Sequence, residues 1–250
     1  MDQPLRQRAD RLLVARGLFE SRAKAQAAIE AGLVSAGGVP VRKASEELPA
    51  DAEFNATAAH PYVSRGGVKL VAALDHFGLD PKGLVCLDVG ASTGGFTQVL
   101  HQRGARVVYC VDVGRNQMHP SLRGRAGIVV MEETDIRALS PAQLADLPDL
   151  IAVDVSFISL KLVLPAITAL AKPDAKLIAL IKPQFEAGRA QLKKGIVRDP
   201  SVHAAVCTDI SAFASSLDWH VKGIIPSPIE GGDGNREFLL GAETAGAARD

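Results

Sequence analysis

Five apolar runs each close on a group that could do chemistry. Asp88 and Gly90 end the run from Leu84, Asp112 ends the one from Arg106, and Asp135 follows the one over 127–131. Asp154 ends the run over 149–153, and Lys182 ends Leu177–Ile181. In an open parallel sheet such ends share one edge, where ligands bind. A carboxylate there accepts hydrogen bonds from sugar hydroxyls, and Asp135 is placed to accept one from an amino group of a base. Lys69, between Val68 and Leu70, is a second lysine set among apolar residues. A partly buried ammonium near another cation loses proton affinity and can act as a base, while a carboxylate such as Asp154 or Glu237 pulls the other way. Taken singly, each lysine reads as well as a snorkelling surface residue or half of a salt bridge.

The first run continues into Gly90-Ala91-Ser92-Thr93-Gly94-Gly95-Phe96, and a helix is expected to begin near Thr93 or Gly94. Glycines let backbone approach a ligand, and a new helix offers unpaired N–H groups. A second strand ending on Asp112 completes a βαβ unit suited to a nucleoside. Its glycines do not follow the dinucleotide spacing G-x-G-x-x-G. Asp88, two residues before Gly90, instead matches the D/E-x-G-x-G-x-G loop of S-adenosylmethionine methyltransferases, with Ser92 at the middle glycine. The alternative is a strand–turn–helix corner of some other α/β domain.

The elements that must hold these groups alternate from Leu84 onward. Strands are expected near 84–89, 106–112, 127–131, 149–155 and 176–182, with helices over 94–103, 140–146, 160–171 and 201–216. That order specifies a mostly parallel sheet covered on both faces. Two further strands, 219–226 and 236–240, flank a turn-rich stretch and form a terminal antiparallel hairpin. A helix from about Gly67 to Gly78 precedes the sheet and carries Lys69.

The chain has 250 residues, 47% of them hydrophobic, enough for one large domain and a small one. Lys+Arg and Asp+Glu both total 28, so net charge predicts no nucleic-acid affinity. Residues 1–44, however, hold eight basic residues against Asp2, Asp10, Glu20 and Glu30, a modest sign of a phosphate-bearing partner. Cys86, Cys110 and Cys207 fit no zinc spacing or disulfide framework, and six histidines show no ligand spacing, so no metal is expected. The N-terminus has no apolar signal core. The best apolar stretch, 162–181, is broken by Pro165, Lys172, Pro173, Asp174 and Lys176, so a cytoplasmic protein is expected.

Residues 4–16 show helical spacing, Ser21 caps a second helix to Ala31, and a Gly37-Gly38 turn joins two short strands. Residues 51–61 read as a linker. This helix–helix–hairpin order resembles an S4 RNA-binding domain. The resemblance implies that Arg6, Arg16, Arg22, Lys24, Arg42 and Lys43 clasp structured RNA; a solvated basic face is the alternative. The expected division is residues 1–58 for this module, 59–63 for a connection and 64–250 for a catalytic domain.

SRGGVKL (64–70), LDVGASTGGFTQVL (87–100), VDVGRNQ (111–117), VDVSFISL (153–160), IKPQFE (181–186) and GNREFLL (234–240) together resemble the TlyA family. Those proteins, called hemolysin-like by history, join an S4 domain to an FtsJ-type domain and methylate ribosomal RNA. The resemblance implies a Rossmann-like methyltransferase fold with a seven-stranded sheet, S-adenosylmethionine as cofactor, and ribosomal RNA within ribosomal subunits as partner. It implies 2′-O-methylation, on cytidine, by a Lys-Asp-Lys-Glu tetrad that falls on Lys69, Asp154, Lys182 and Glu237. Lys182 would take or steer the 2′-hydroxyl proton, with Asp154 and Glu237 holding it and Lys69 orienting the hydroxyl. Arg65, Arg189, Lys193 and Lys194 should hold RNA backbone around the mouth, and the loop 186–200 reads as a lid or as a plain solvated loop. Phe157 and Phe185 could stack on bases, core packing being the plainer expectation. The rivals are an RNA-binding assembly factor with a vestigial enzyme domain and a membrane-lysing hemolysin.

Overall fold

The structure, a computed structural model, describes residues 6–57, 59–231 and 234–244. The chain divides into two compact units, Met1–Pro61 and Tyr62–Asp250.

The first unit runs β1 (Arg6–Arg8), α1 (Ala9–Ala15), α2 (Arg22–Glu30), β2 (Val34–Ala36), β3 (Val39–Pro40), β4 (Glu47–Pro49) and β5 (Phe54–Ala56). Ser21 caps α2, its hydroxyl accepting the Lys24 N–H at 3.3 Å. The periodicity over 4–16 predicts one helix, but residues 6–8 instead pair antiparallel with β4 and Ala9 N–H bonds the Glu46 carbonyl, so the helix starts late. Leu5 of that expected helix lies outside the described residues. The linker expected over 51–61 also contains structure. Residues 54–56 add an antiparallel strand to β2, with Phe54 and Ala56 packed against the core formed by Leu13, Ile29 and Val34.

The second unit begins with α3 (Gly66–Phe77), then β6 (Val85–Val89), α4 (Gly95–Gln102), β7 (Val107–Val111), β8 (Ile128–Met131), β9 (Leu150–Val153), α5 (Leu160–Leu170) and β10 (Lys176–Ile181). It ends with α6 (Pro183–Glu186), α7 (Pro200–Ser215), β11 (Trp219–Pro226) and β12 (Phe238–Thr244). The sheet order is β11-β12-β10-β9-β6-β7-β8, parallel from β10 to β8, with β12 inserted antiparallel to both its neighbours. Strand order reverses at β6, whose neighbours are β9 and β7, and a crevice opens at such a reversal. The helix expected over 140–146 is absent. Ser140 and Gln143 form a capping box, yet the segment makes only a single 3-10 turn over Pro141–Gln143. Pro148 lies too close for a helix to continue.

Alternation along the strands sorts side chains onto two faces. Leu87, Val89, Ile151, Val153, Ala179 and Ile181 join the core beneath α5 and α7. Cys86, Ala152, Ile178, Leu180 and Leu239 join the one beneath α3 and α4. Continuing that period of two puts Asp88, Asp154, Lys182 and Glu237 on the α3/α4 side, toward Lys69. Among the described residues no helix is long and apolar enough to cross a membrane.

Candidate active site

Lys182 is the first residue past β10 and caps α6, where Pro183 occupies the first helical position. Its Nζ lies 2.6 Å from Asp154 Oδ1 and donates to Ser156 Oγ at 2.8 Å. Of the three ammonium N–H bonds Ser156 takes one, while Asp154 faces Nζ as its counter-charge, its Oδ1 making no hydrogen bond, so donors remain for a substrate oxygen. The Phe185 ring stands 6.0 Å from the same Nζ. Glu186 braces this turn, accepting from Ser159 Oγ at 2.5 Å and Leu160 N–H at 2.8 Å, which ties α6 to the start of α5. Burial raises the Glu186 carboxyl above its ordinary range.

Lys69 and Glu237 form a second pair, Nζ to Oε2 at 2.5 Å, with residue exposures of 8% and 4%. The β10–β12 register places Ile181 opposite Phe238, so Lys182 and Glu237 follow opposite each other one step beyond. All four tetrad residues therefore converge, as two ion pairs, on one end of the sheet.

Beside them lie two cavities that share Gly90, Ser92, Asp154 and Ser156. The larger, about 530 Å³, spans the ends of β6, β7 and β9 and is also lined by Asp112, Gly114, Gln117, Asp135 and Phe157. The smaller, about 200 Å³, reaches Lys182 and is bounded by Ser64, Ala91, Thr93, Gly95 and Phe96. At Gly90 (φ 81°) an added Cβ would sit 2.4 Å from the Asp154 carbonyl oxygen, so only glycine lets the turn pass this close to the end of β9. Asp112 holds that turn: its Oδ2 accepts the Ser92 N–H and its Oδ1 the Gly114 N–H, each at 2.7 Å.

Two expected cofactor groups lie away from both cavities, and a third is engaged by a neighbour. Asp88 lines neither cavity; strand alternation turns it into the α3/α4 core, where Thr97 Oγ1 donates to its Oδ2 at 2.6 Å and its Oδ1 has no partner. Burial pushes this carboxyl up to about 7, the Thr97 bond opposing and Asp154 reinforcing the rise. Gly94 (φ 93°) also lines neither cavity and instead leaves room for Met118 Sδ, which an added Cβ would meet at 2.5 Å. Asp135 faces the larger cavity, but Arg137 already grips it, at 2.6 Å from Oδ2 and 3.0 Å from Oδ1, and this grip holds the carboxyl below its ordinary range.

Phe157 is 90% exposed, with φ 65°, its ring 5.0 Å from that of Phe185; core packing does not hold for it. Lys193, Lys194 and Arg65 are exposed, while the Arg189 side chain lies outside the described set. The end of the 186–200 loop is fastened: Asn235 Oδ1 accepts the Val197 N–H at 3.3 Å, and His203 Nε2 lies 2.9 Å from the Val197 carbonyl. Among the described residues no cluster of three or more His, Cys, Asp or Glu could hold a metal. Ser156, Gln117 and Gly114 escape sequence reasoning, although VDVSFISL and VDVGRNQ contain them, because an uncharged residue in a loop carries no signal of its own.

In the first unit several expected RNA-binding cations are engaged internally. Arg8 Nε lies 3.0 Å from the buried Asp10 and Arg22 Nη2 2.6 Å from it, and these guanidiniums, Arg8 foremost, hold the Asp10 carboxyl down at about 2. Arg16 donates to the Ala50 and Ala52 carbonyls, Arg6 to the Glu47 carbonyl and Lys24 to Glu20. Arg42 and Lys43 are exposed.

The FtsJ-like methyltransferase family matches residues 62–244, and the S4 domain family matches residues 7–54. YqxC of Bacillus subtilis is 46% identical over 241 residues, covering 94% of this chain and 85% of that protein. Mycobacterium tuberculosis TlyA, named as a 16S/23S rRNA (cytidine-2′-O)-methyltransferase, is 43% identical over 247 residues, covering 96% of this chain and 90% of that one. A solved chain from Streptococcus thermophilus that carries the hemolysin name is 43% identical with a TM-score of 0.77, covering 96% of this chain and 88% of that chain. The chain belongs to the FtsJ-like methyltransferases, in the TlyA family that joins an S4 domain to the catalytic one.

Proposed function

We propose that the protein methylates the 2′-hydroxyl of a cytidine in ribosomal RNA, working in the cytoplasm on ribosomal subunits. The observation that carries this reading is the Lys182–Asp154 pair, 2.6 Å apart, on a cavity shared with the Gly90 turn. The activity named for the M. tuberculosis relative supplies the substrate.

S-adenosylmethionine fits the larger cavity. Its volume is that of a cofactor site, Gly90 brings backbone to its wall, and Asp112 stands where a ribose acceptor is needed. When bound, S-adenosylmethionine supplies a methyl group already activated by its sulfonium. The protein's own task is to orient a hydroxyl and help it lose a proton. The Asp154 charge and the Ser156 hydroxyl hold Lys182 so that an N–H or its lone pair faces the 2′-oxygen, and Lys182 takes or steers the proton. Glu237 neutralises Lys69, which in turn orients the hydroxyl from α3. Phe157, exposed on the cavity wall, offers a face on which the target base stacks. The S4 unit recognises folded RNA. A 2′-hydroxyl as target also restricts the enzyme to RNA over DNA.

Transfer of labelled methyl from S-adenosylmethionine to ribosomal subunits tests this reading, and Lys182→Ala should abolish it. Lysis of membranes by purified protein, retained in Lys182→Ala, would favour the hemolysin reading instead. Binding of subunits without any transfer would favour an assembly factor.

A further inference from the structure

Glu132, the residue immediately after β8, belongs to no motif that the tetrad or the glycine turn explains. Its carboxylate accepts three successive backbone N–H groups: Asn116 on Oε2 at 2.7 Å, then Gln117 and Met118 on Oε1 at 2.8 and 2.9 Å. Arg123 closes the cluster, its Nη2 donating to Oε1 at 2.6 Å while its Nε donates to the Met118 carbonyl at 3.1 Å. Together these donors hold the carboxyl down at about 2, so it is charged throughout the working pH range.

Of the residues gripped in this way Gln117 lines the larger cavity, whose wall continues through Val113 and Gly114 just before it. The segment also meets the glycine turn on its other side. Met118 is buried against Gly94, His119 N–H donates to the Thr93 carbonyl at 3.2 Å, and Ser92 Oγ lies 3.4 Å from Gln117 Oε1. Asn116 sits at φ 53°, a left-handed state that asparagine adopts more readily than other side-chain-bearing residues. The carboxylate thus fixes backbone on which two walls of the cavity depend.

We infer that Glu132 is a positioning residue for the cofactor: by clamping the amides of residues 116–118 it preorganises the nucleoside-binding wall before the ligand arrives. This inference rests on the cofactor reading above. Preorganisation lowers the ordering cost of binding, so its loss falls on affinity rather than on the chemical step. Glu132→Gln keeps the shape and one acceptor oxygen but turns an NH2 toward a backbone N–H; Glu132→Ala removes both acceptors.

The test uses the full-length protein with S-adenosylhomocysteine as calorimetric probe, together with amide exchange over residues 116–118. Glu132→Gln should weaken S-adenosylhomocysteine about tenfold and raise KM for S-adenosylmethionine alike, with kcat at saturation within about twofold of wild type. Glu132→Ala should be weaker still, and exchange of the three amides should quicken in both variants. Unchanged affinity in both variants, with wild type binding normally, overturns the role of Glu132 alone. A fall in kcat with KM constant overturns it too. Failure of wild type to bind S-adenosylhomocysteine brings down the cofactor reading, and this inference with it.

Discussion

Lys182 and Glu237 stand opposite each other one step beyond the paired residues Ile181 and Phe238, where β10 and the antiparallel β12 reach the cavity edge. Each holds an opposite charge from another segment, Lys182 binding Asp154 and Glu237 binding Lys69. Four residues spread over 168 positions of sequence are brought together because a late strand inserts next to β10.

The buried Lys69–Glu237 pair separates stability from activity. Lys69→Ala leaves an uncompensated carboxylate at a site only 4% exposed, which should cost about 3–5 kcal/mol in denaturant unfolding. Replacing both partners, as Lys69→Met with Glu237→Leu, should recover most of that stability while transfer stays lost. Recovery of methyl transfer in the double variant would show that the pair only supports the fold.

Asp88 should make the catalytic unit less stable as pH rises. Its carboxyl is raised to about 7 in the folded protein, against about 4 when unfolded. A raised acid favours the folded state below its unfolded value, and that advantage disappears as pH climbs through about 7. Unfolding free energy should therefore fall between about pH 4 and 7, by at most about 4 kcal/mol from this group. Asp88→Asn should flatten the fall; an equally steep profile in the variant would contradict the assignment.

Phe157 should matter to RNA and not to the cofactor. Phe157→Ala removes an exposed ring and should cost about 1–3 kcal/mol in RNA binding or transfer if a base stacks there. S-adenosylhomocysteine affinity should change little by comparison. Full transfer with Phe157→Ala would remove the stacking role.

The S4 cations should divide into two groups. Arg22→Ala takes one of two guanidiniums from the buried Asp10, and because Arg22 is half exposed the loss of stability should be about 1 kcal/mol. Arg42→Ala and Lys43→Ala should leave the melting temperature unchanged, weaken RNA binding, and each reduce the salt slope by about one. Unaltered RNA affinity in both would move the contact elsewhere on the unit.

Much of this arrangement is legible in the sequence because strand ends and glycines carry local signals. Gly90, Asp112, Asp154 and Lys182 each close an apolar run, and a parallel sheet gathers such ends at one edge. Even the face on which Asp88 is buried follows from its parity with Cys86 rather than with Leu87 and Val89. What does not show is whatever depends on a distant backbone partner. Glu132 reads as an ordinary surface acid until three amides of residues 116–118 meet it, and Ser156 as a loop serine until Lys182 does. The strands β1, β4 and β5, three residues each, are too short for alternation to register. At Ser140 the start signal for a helix is genuine, and it fails only because Pro148 comes so soon.

The central claim is that Lys182 and Asp154 activate an RNA 2′-oxygen beside a methyl donor. Its most direct test incubates ribosomal subunits with labelled S-adenosylmethionine and either wild-type protein, Lys182→Ala or Asp154→Ala, then maps the label by mass spectrometry of RNA digests. The account predicts a 2′-O-methylcytidine with wild type and none with either variant. Label on a base, or transfer by both variants within a few-fold of wild type, would contradict it.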